Sequence, residues 1–387
     1  MNASIARYYK RKKMVLACET VTPMFLGNPR QEAEWRAAPF KALLRYWWRV
    51  TQRGHRDEKS LLQAEGSLFG CAGEKTDDQG GKSLVSVSVA STAKAIKNSW
   101  PVSLAKIEHP ETNQGQIDPL LYLAGMGLME YGKPKHSFFP PESPFVWTVD
   151  CPGEVQPDLE AALAMIQAFG ALGARCRNGW GSFQITSGMM DKGEAAGRLN
   201  ACTEEWKTGF DKDYPNRLGK YDDDKRLLLW KTECMPTWEG AMRELADAYV
   251  AVRVRTVIVD INGLPNSIPC LDPRKDDMPA ERHLLGFPLT HHEAKSSRDW
   301  KGNANWGKSG RHASPLRFFV KRGGDKYTGF ILHLPHSLSK KMNEKYVPTQ
   351  QTQSAEHFTI EKQIEVWEKV HKKLNKLLSR ATYEECL

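Results

Sequence analysis

The chain has 387 residues, with 55 Lys+Arg against 46 Asp+Glu for a formal net charge of +9, and 40% of its residues are hydrophobic. That composition is ordinary for a globular protein and excludes a wholly disordered chain, while the length allows two or three domains with a sizeable core. The positive balance favours a polyanionic partner such as nucleic acid.

In chain order, Met14–Val21 is an apolar, β-branched run that reads as a first strand. Pro23 to Arg36 carries Gly27, Asn28 and Pro29 and reads as an exposed loop. A helix over 39–53 comes next, with Pro39 in its first turn and Leu43, Leu44, Trp47 and Val50 on one apolar face. Lys41, Arg45, Arg49 and Arg53 recur every four residues on the same helix, and no acid stands between Arg36 and Arg56. Ser83–Ala90 alternates polar and apolar residues as a half-buried strand does. Helices over 117–130 and 157–172 flank a strand at Phe145–Asp150, and a glycine-rich loop with two arginines, Gly170–Ser182, leads into a strand at 183–185. Strand–helix–strand–helix–strand in that order fits a ferredoxin-like half.

Residues 189–226 are charged and poor in apolar side chains and read as a linker or insertion between a domain over 1–188 and a second over 227–387. The second half opens with a strand at 227–230 and a helix over 238–250, then a long polar insertion, 262–312. Strands at 316–321 and 328–334, joined through Gly323-Gly324, read as a hairpin. An amphipathic helix over 355–380, with Ile360, Ile364, Trp367, Leu374 and Leu378 on its apolar side, ends the chain. The fold class expected is therefore α+β, with two ferredoxin-like (RRM-like) halves, inserted loops and a C-terminal helix.

Several chemistries are weak on spacing alone. The eight cysteines are scattered with no C-x-x-C, which points to free thiols in a cytoplasmic protein rather than to a disulfide framework or zinc site. No apolar run is long enough for a membrane span or a secretory leader. Gly302–Ser309 spells G-x-x-x-x-G-K-S, yet no core strand precedes it and Pro315 interrupts any helix after it, so the match reads as accidental. His291-His292-Glu293 and His333/His336 lack further ligands at metal-site spacing, so no metal or cofactor is expected. Lys295–Lys326 holds nine Lys/Arg against Asp299 and Asp325, with Trp300 and Trp306 among them, as a surface that neutralises phosphates and stacks bases would. In Gly170–Ser182 the glycines allow close backbone approach, while Arg175, Arg177 and Trp180 supply charge and an aromatic face.

Three of these segments together resemble one family. Thr22–Gly27 with Phe40-Lys-Ala-Leu-Leu-Arg-Tyr-Trp-Trp-Arg49, Glu65–Gly70 and the Gly170–Ser182 loop are similar to RAMP proteins of type III-B CRISPR effectors, and Arg311–Arg317 resembles a late element of the first-numbered subunit of the Cmr complex. The resemblance implies a place at the end of a ribonucleoprotein that holds the 3′ side of the guide RNA (crRNA), contact with target RNA, and other Cmr subunits as partners. It marks Lys41, Arg45, Arg49, Arg175, Arg177 and Trp180 as RNA contacts, with Arg36, Lys308 and Arg311 next. Asn178 stands where many such loops have a further basic residue, keeping a hydrogen-bond donor but not the charge. The target-cleaving subunits of that family carry an Asp in the loop after the first strand; here that loop has Glu32 and Glu34 and no Asp, so the chain is expected not to cut. The alternative is a RAMP endoribonuclease that processes guide precursors by metal-independent acid–base chemistry, with His55, His136 or His312 as candidates.

Overall fold

The computed structural model describes residues 10–53, 57–71, 81–97, 104–109, 112, 114–130, 133–221, 223, 225–253, 256–259, 265–268, 281–286, 311–339 and 358–387. Strand β1 (Arg11–Thr20) leads to helix α1 (Ala37–Thr51), which buries Phe40, Leu43, Leu44, Trp47, Trp48 and Val50. Helix α2 (Glu58–Phe69) starts where the Asp57 side chain accepts the Ser60 N–H, an N-cap that satisfies one orphan donor. Then come β2 (Ser86–Ala90), α3 (Pro119–Leu128), β3 (Pro144–Pro152), α4 (Gln156–Phe169) and β4 (Phe183–Ser187). All pairings in this first sheet are antiparallel and its order is β2-β3-β1-β4. With α1 and α4 as the two crossovers, that is the ferredoxin-like arrangement.

Residues 189–226 are folded rather than a bare tether. Helix α5 (Lys192–Ala201) is capped by Asp191 and buries Ala195, Ala196 and Leu199, and β5 (Thr203–Glu205) pairs in parallel with β6 (Leu218–Lys220). Strand β7 (Leu229–Lys231), helix α6 (Trp238–Arg253), the hairpin β8 (Leu316–Gly323) and β9 (Lys326–His333), helix α7 (Ile360–Leu377) and β10 (Ser379–Arg380) then repeat the first pattern. The second sheet is also antiparallel, in the order β8-β9-β7-β10. The two halves are thus the same six-element motif, and the chain is α+β with two ferredoxin-like units, as its sequence suggests. Most of the polar insertion, including Gly302–Ser309, Trp300, Trp306 and Lys308, lies outside the described residues.

The buried histidines belong to the second core. His333 stacks on Trp367 at 3.9 Å and shares a 2.9 Å hydrogen bond with His371, whose other nitrogen meets the Tyr221 hydroxyl at 2.8 Å. His333 thus packs within this core, and the buried His336 lies with its Nδ1 2.8 Å from the Leu334 carbonyl. The last residues cross back to the first unit: Tyr383 lies against Phe169 and hydrogen-bonds Thr203, and Lys321 of β8 donates to the Gln167 carbonyl at 2.5 Å.

Candidate nucleic-acid interface

The Gly170–Ser182 loop holds the two units together. It is tied to the first loop of the chain at both ends, with Ala174 N–H donating to Phe25 O and Gly181 N–H to Pro23 O, both at 2.9 Å. Its C-terminal side docks on β8: Phe318 N–H donates to Arg177 O at 2.8 Å and Val320 N–H to Ser182 Oγ at 3.0 Å. Gly181 has a left-handed φ of 66°, and a Cβ there would lie 1.9 Å from Leu172 O, so no other residue fits. Arg175 also has a left-handed φ, 59°, which for a side chain of this kind costs free energy that the surrounding structure must supply. The Arg175 guanidinium lies over Gly125 and Gly127 of α3, where a Cβ would stand 3.2 and 3.0 Å from it.

That loop forms one wall of a cavity of about 750 Å³ between α1, α3, α6 and β8. Arg175, Arg177, Arg253, Arg311 and Arg317 line it, and no Asp or Glu among the described residues does. Its aromatic lining is Tyr46, Tyr122 and Tyr249. Arg253 stands over Tyr249 at 5.0 Å and donates to the Tyr122 hydroxyl at 3.1 Å, while Arg317 stands over Tyr46 at 4.7 Å and Trp47 at 5.2 Å. Arg177 approaches the Tyr46 ring at 6.0 Å. Such cation–π contacts hold the guanidiniums in place, and five arginines give the described lining a positive charge. Its chemistry suits a chain of phosphates carrying flat bases.

The sequence-marked residues divide between two places. Arg175, Arg177, Asn178 and Arg311 all line the cavity, although the Asn178 amide is spent on the Leu123 carbonyl at 2.8 Å. Lys41, Arg45 and Arg49 lie on another side of α1. There Arg45 and Arg49, about 40% exposed, both fork onto the buried Glu65 of α2, with Arg45 Nε and Arg49 Nη2 each 2.7 Å from Oε1. Burial opposes the Glu65 charge, but hydrogen bonds from Arg49 and Arg45 outweigh it and hold the carboxyl below its ordinary range. Lys41 donates to Ser83 at 2.6 Å, and burial followed by the neighbouring Arg45 charge lowers its pKa. Arg36 is half-buried and donates to Gly27 O.

Trp180 needs correction. Its side chain is 0% exposed and packs edge-on against Phe25 and Trp238, at 5.8 and 6.0 Å, so it anchors the loop in the core and offers no face to a base. The flanking glycines, which suggest close approach of a ligand, instead let the loop turn so that this indole points inward. Of the acid–base candidates, His55 lies outside the described residues, and His136 is half-buried with its pKa lowered by burial and by Lys135 and Lys97. His312 does line the cavity, but burial, and then the neighbouring His336, push it down to about 3, and its Nε2 meets the Leu284 carbonyl at 3.3 Å. It is neutral at pH 7 and cannot donate a proton there as a general acid.

Arg253, Arg317 and the three tyrosines do not stand out in the sequence. Arg317 carries a signal nonetheless: it interrupts an otherwise apolar strand, Leu316–Val320, and a charge in such a strand is buried with a purpose. Tyr46 sits within the α1 motif, but its direction depends on how the loop and β8 close over it.

Among the described residues no helix is long and apolar enough to cross a membrane, and no cluster of His, Cys, Asp or Glu could hold a metal ion. No curated protein sequence matches the chain. Among solved structures, an apo crystal structure of Cmr1 from Pyrococcus furiosus is 18% identical over 88% of this chain and 91% of that one, with a TM-score of 0.44. A chain in a cryo-EM structure of the type III-B Cmr-beta complex bound to cognate target RNA is 11% identical over 94% of this chain and 99% of that one, with a TM-score of 0.41. The family comparison is more specific: residues 17–184, which run from β1 through the glycine-rich loop into β4, match the RAMP superfamily. Over those residues, which make up its first ferredoxin-like unit, the chain is similar to the RAMP superfamily.

Proposed function

We propose that this chain is a non-cutting, RNA-binding subunit of a type III-B CRISPR (Cmr) effector, placed at the end that holds the guide RNA 3′ side and engaging target RNA there. The observation that carries the RNA reading is the cavity with its five arginines and three tyrosines and no acid among its described lining, one wall of which is the glycine-rich loop of the RAMP domain. Phosphate contacts supply affinity without sequence preference, and in a guided complex base pairing supplies the sequence. The Cmr assignment rests on the α1 motif Leu43-Leu-Arg-Tyr-Trp-Trp-Arg49 and the Arg311–Arg317 element. The lack of an Asp in the loop after β1, where Glu32 and Glu34 stand instead, supports a binding role over a cutting one.

Fluorescence anisotropy with single-stranded RNA tests the reading. Wild-type affinity should fall steeply as salt rises, and Arg175→Glu with Arg177→Glu should weaken binding by roughly 100-fold with a salt slope shallower by about two. Unchanged binding in that variant sinks the assignment. Purified chain that cleaves a guide-precursor hairpin without metal, and stops on His312→Ala, would favour the endoribonuclease reading instead.

A further inference from the structure

Arg317 is almost wholly buried in the cavity wall, at 4% exposure. Its surroundings are the Tyr46 and Trp47 rings, with the Tyr46 hydroxyl and the Cys176 thiol near its fork. Among the described residues no carboxylate pairs with it. The contrast with another buried arginine of the same chain is direct: Arg217, 6% exposed, reaches both Glu204 and Asp211. A guanidinium has five N–H donors in a planar fork that matches two oxygens of a tetrahedral anion, and removing such a charge from water without a counter-ion is costly. Arg177 approaches the same Tyr46 ring from the loop, so a second cation stands close by.

We propose that Arg317, with Arg177 beside it, forms an inner anion site that takes one phosphate group, and that this phosphate is the missing counter-ion of the buried charge. The proposal rests on the RNA reading for its natural ligand, since a strand lying in the cavity would present a phosphate there. A backbone phosphodiester and a terminal or free phosphate share the required chemistry. The shell around Arg317 fits either role: the Tyr46 and Trp47 rings pack against the guanidinium and supply no carboxylate, leaving its charge to be met by the ligand.

The experiment uses the full chain and three probes: inorganic phosphate, a short single-stranded RNA with a terminal phosphate, and the same RNA without one. Inorganic phosphate should raise the melting temperature by roughly 2 °C or more above chloride at matched ionic strength. Arg317→Met should abolish that increment, leave the ligand-free melting temperature unchanged or higher, and weaken RNA binding by roughly 10- to 100-fold. Preference for the phosphorylated RNA identifies a terminal phosphate as the natural occupant, and equal binding of the two RNAs identifies the backbone. Three results overturn the site: no phosphate increment in the wild type, an increment that survives Arg317→Met, or a marked loss of ligand-free stability in that variant, which would make Arg317 a structural fork between β8 and α1. RNA binding that is lost in Arg175→Glu/Arg177→Glu but kept in Arg317→Met sinks the anion site and leaves the RNA reading standing. Binding kept in both variants sinks the RNA reading itself.

Discussion

Two groups of arginines lie on two sides of α1 and meet different partners. On the outer side of α1, Arg45 and Arg49 share the single carboxylate of Glu65, which is itself 1% exposed. On the cavity side, Arg177, Arg253 and Arg317 stand near aromatic rings, Arg253 donates to the Tyr122 hydroxyl, Arg175 lies over Gly125 and Gly127, and among the described residues no carboxylate lines the cavity. The first group is partly neutralised and braces α1 against α2; the second lines the cavity. Counting basic residues along a sequence cannot separate the two, because the neutralising acid comes from a different helix.

The contrast can be broken most severely through the loop itself. Gly181→Ala places a methyl group against Leu172 O in a left-handed turn and should cost about 3–5 kcal/mol in denaturant unfolding, taking RNA binding with it. Next in size is charge reversal of the outer pair. Arg45→Glu with Arg49→Glu leaves Glu65 buried without a partner and should destabilise the chain by about 3–5 kcal/mol, whereas Arg175→Glu with Arg177→Glu should leave unfolding within about 1 kcal/mol of wild type while RNA affinity collapses. Equal stability losses in the two double variants, measured by urea unfolding, would erase the distinction.

Acid should separate the two units in a third way. His312, pushed down to about 3, His336, to about 4, and His333 and His371, held well below the ordinary value, are all kept neutral, chiefly by burial in the second unit. Their folded pKa values are depressed, so the unfolded chain binds more protons than the folded one below about pH 6.5. Stability from these groups is complete above that pH and declines as the pH falls toward 4, by up to about 1.4 kcal/mol per pH unit for each histidine. Glu65 contributes in the same direction but only below the ordinary carboxylate range. Near-ultraviolet signals from Trp230 and Trp367 should therefore be lost at higher pH than those from Trp47 and Trp147. The smallest effect expected is that of Lys41→Ala, which removes one hydrogen bond to Ser83 and should change both stability and RNA affinity by no more than about 1 kcal/mol.

Both ferredoxin-like motifs are legible in the sequence because their strands and crossover helices carry strong periodicity; the pattern that predicts a helix over 39–53 yields α1 at Ala37–Thr51. Helix α2 is not legible in that way, since its buried residues include Glu65 and Gly66, which hydropathy scores as polar or neutral. Its Asp57 cap is the available signal. Helix α5 escapes for a related reason: it packs through Ala195, Ala196 and Leu199, a face too small to stand out from the charged residues around it. The site is half legible. The loop arginines and Arg311 can be marked because they lie in recognisable motifs, whereas Arg253 and the tyrosines join them only through tertiary closure. Trp180 misleads because a tryptophan among glycines and arginines looks the same whether its ring faces outward or inward.

The glycine-rich loop is at once a wall of the cavity and the joint between the two sheets, through Arg177 O and Ser182 Oγ on β8. Holding a ligand and holding the halves together are therefore thermodynamically linked: whatever either adds in free energy is shared by the other. A strand in the cavity should slow the parting of the sheets. Conversely, a substitution at a purely internal contact, such as Lys321 on the Gln167 carbonyl, should weaken RNA binding from a position that RNA never touches.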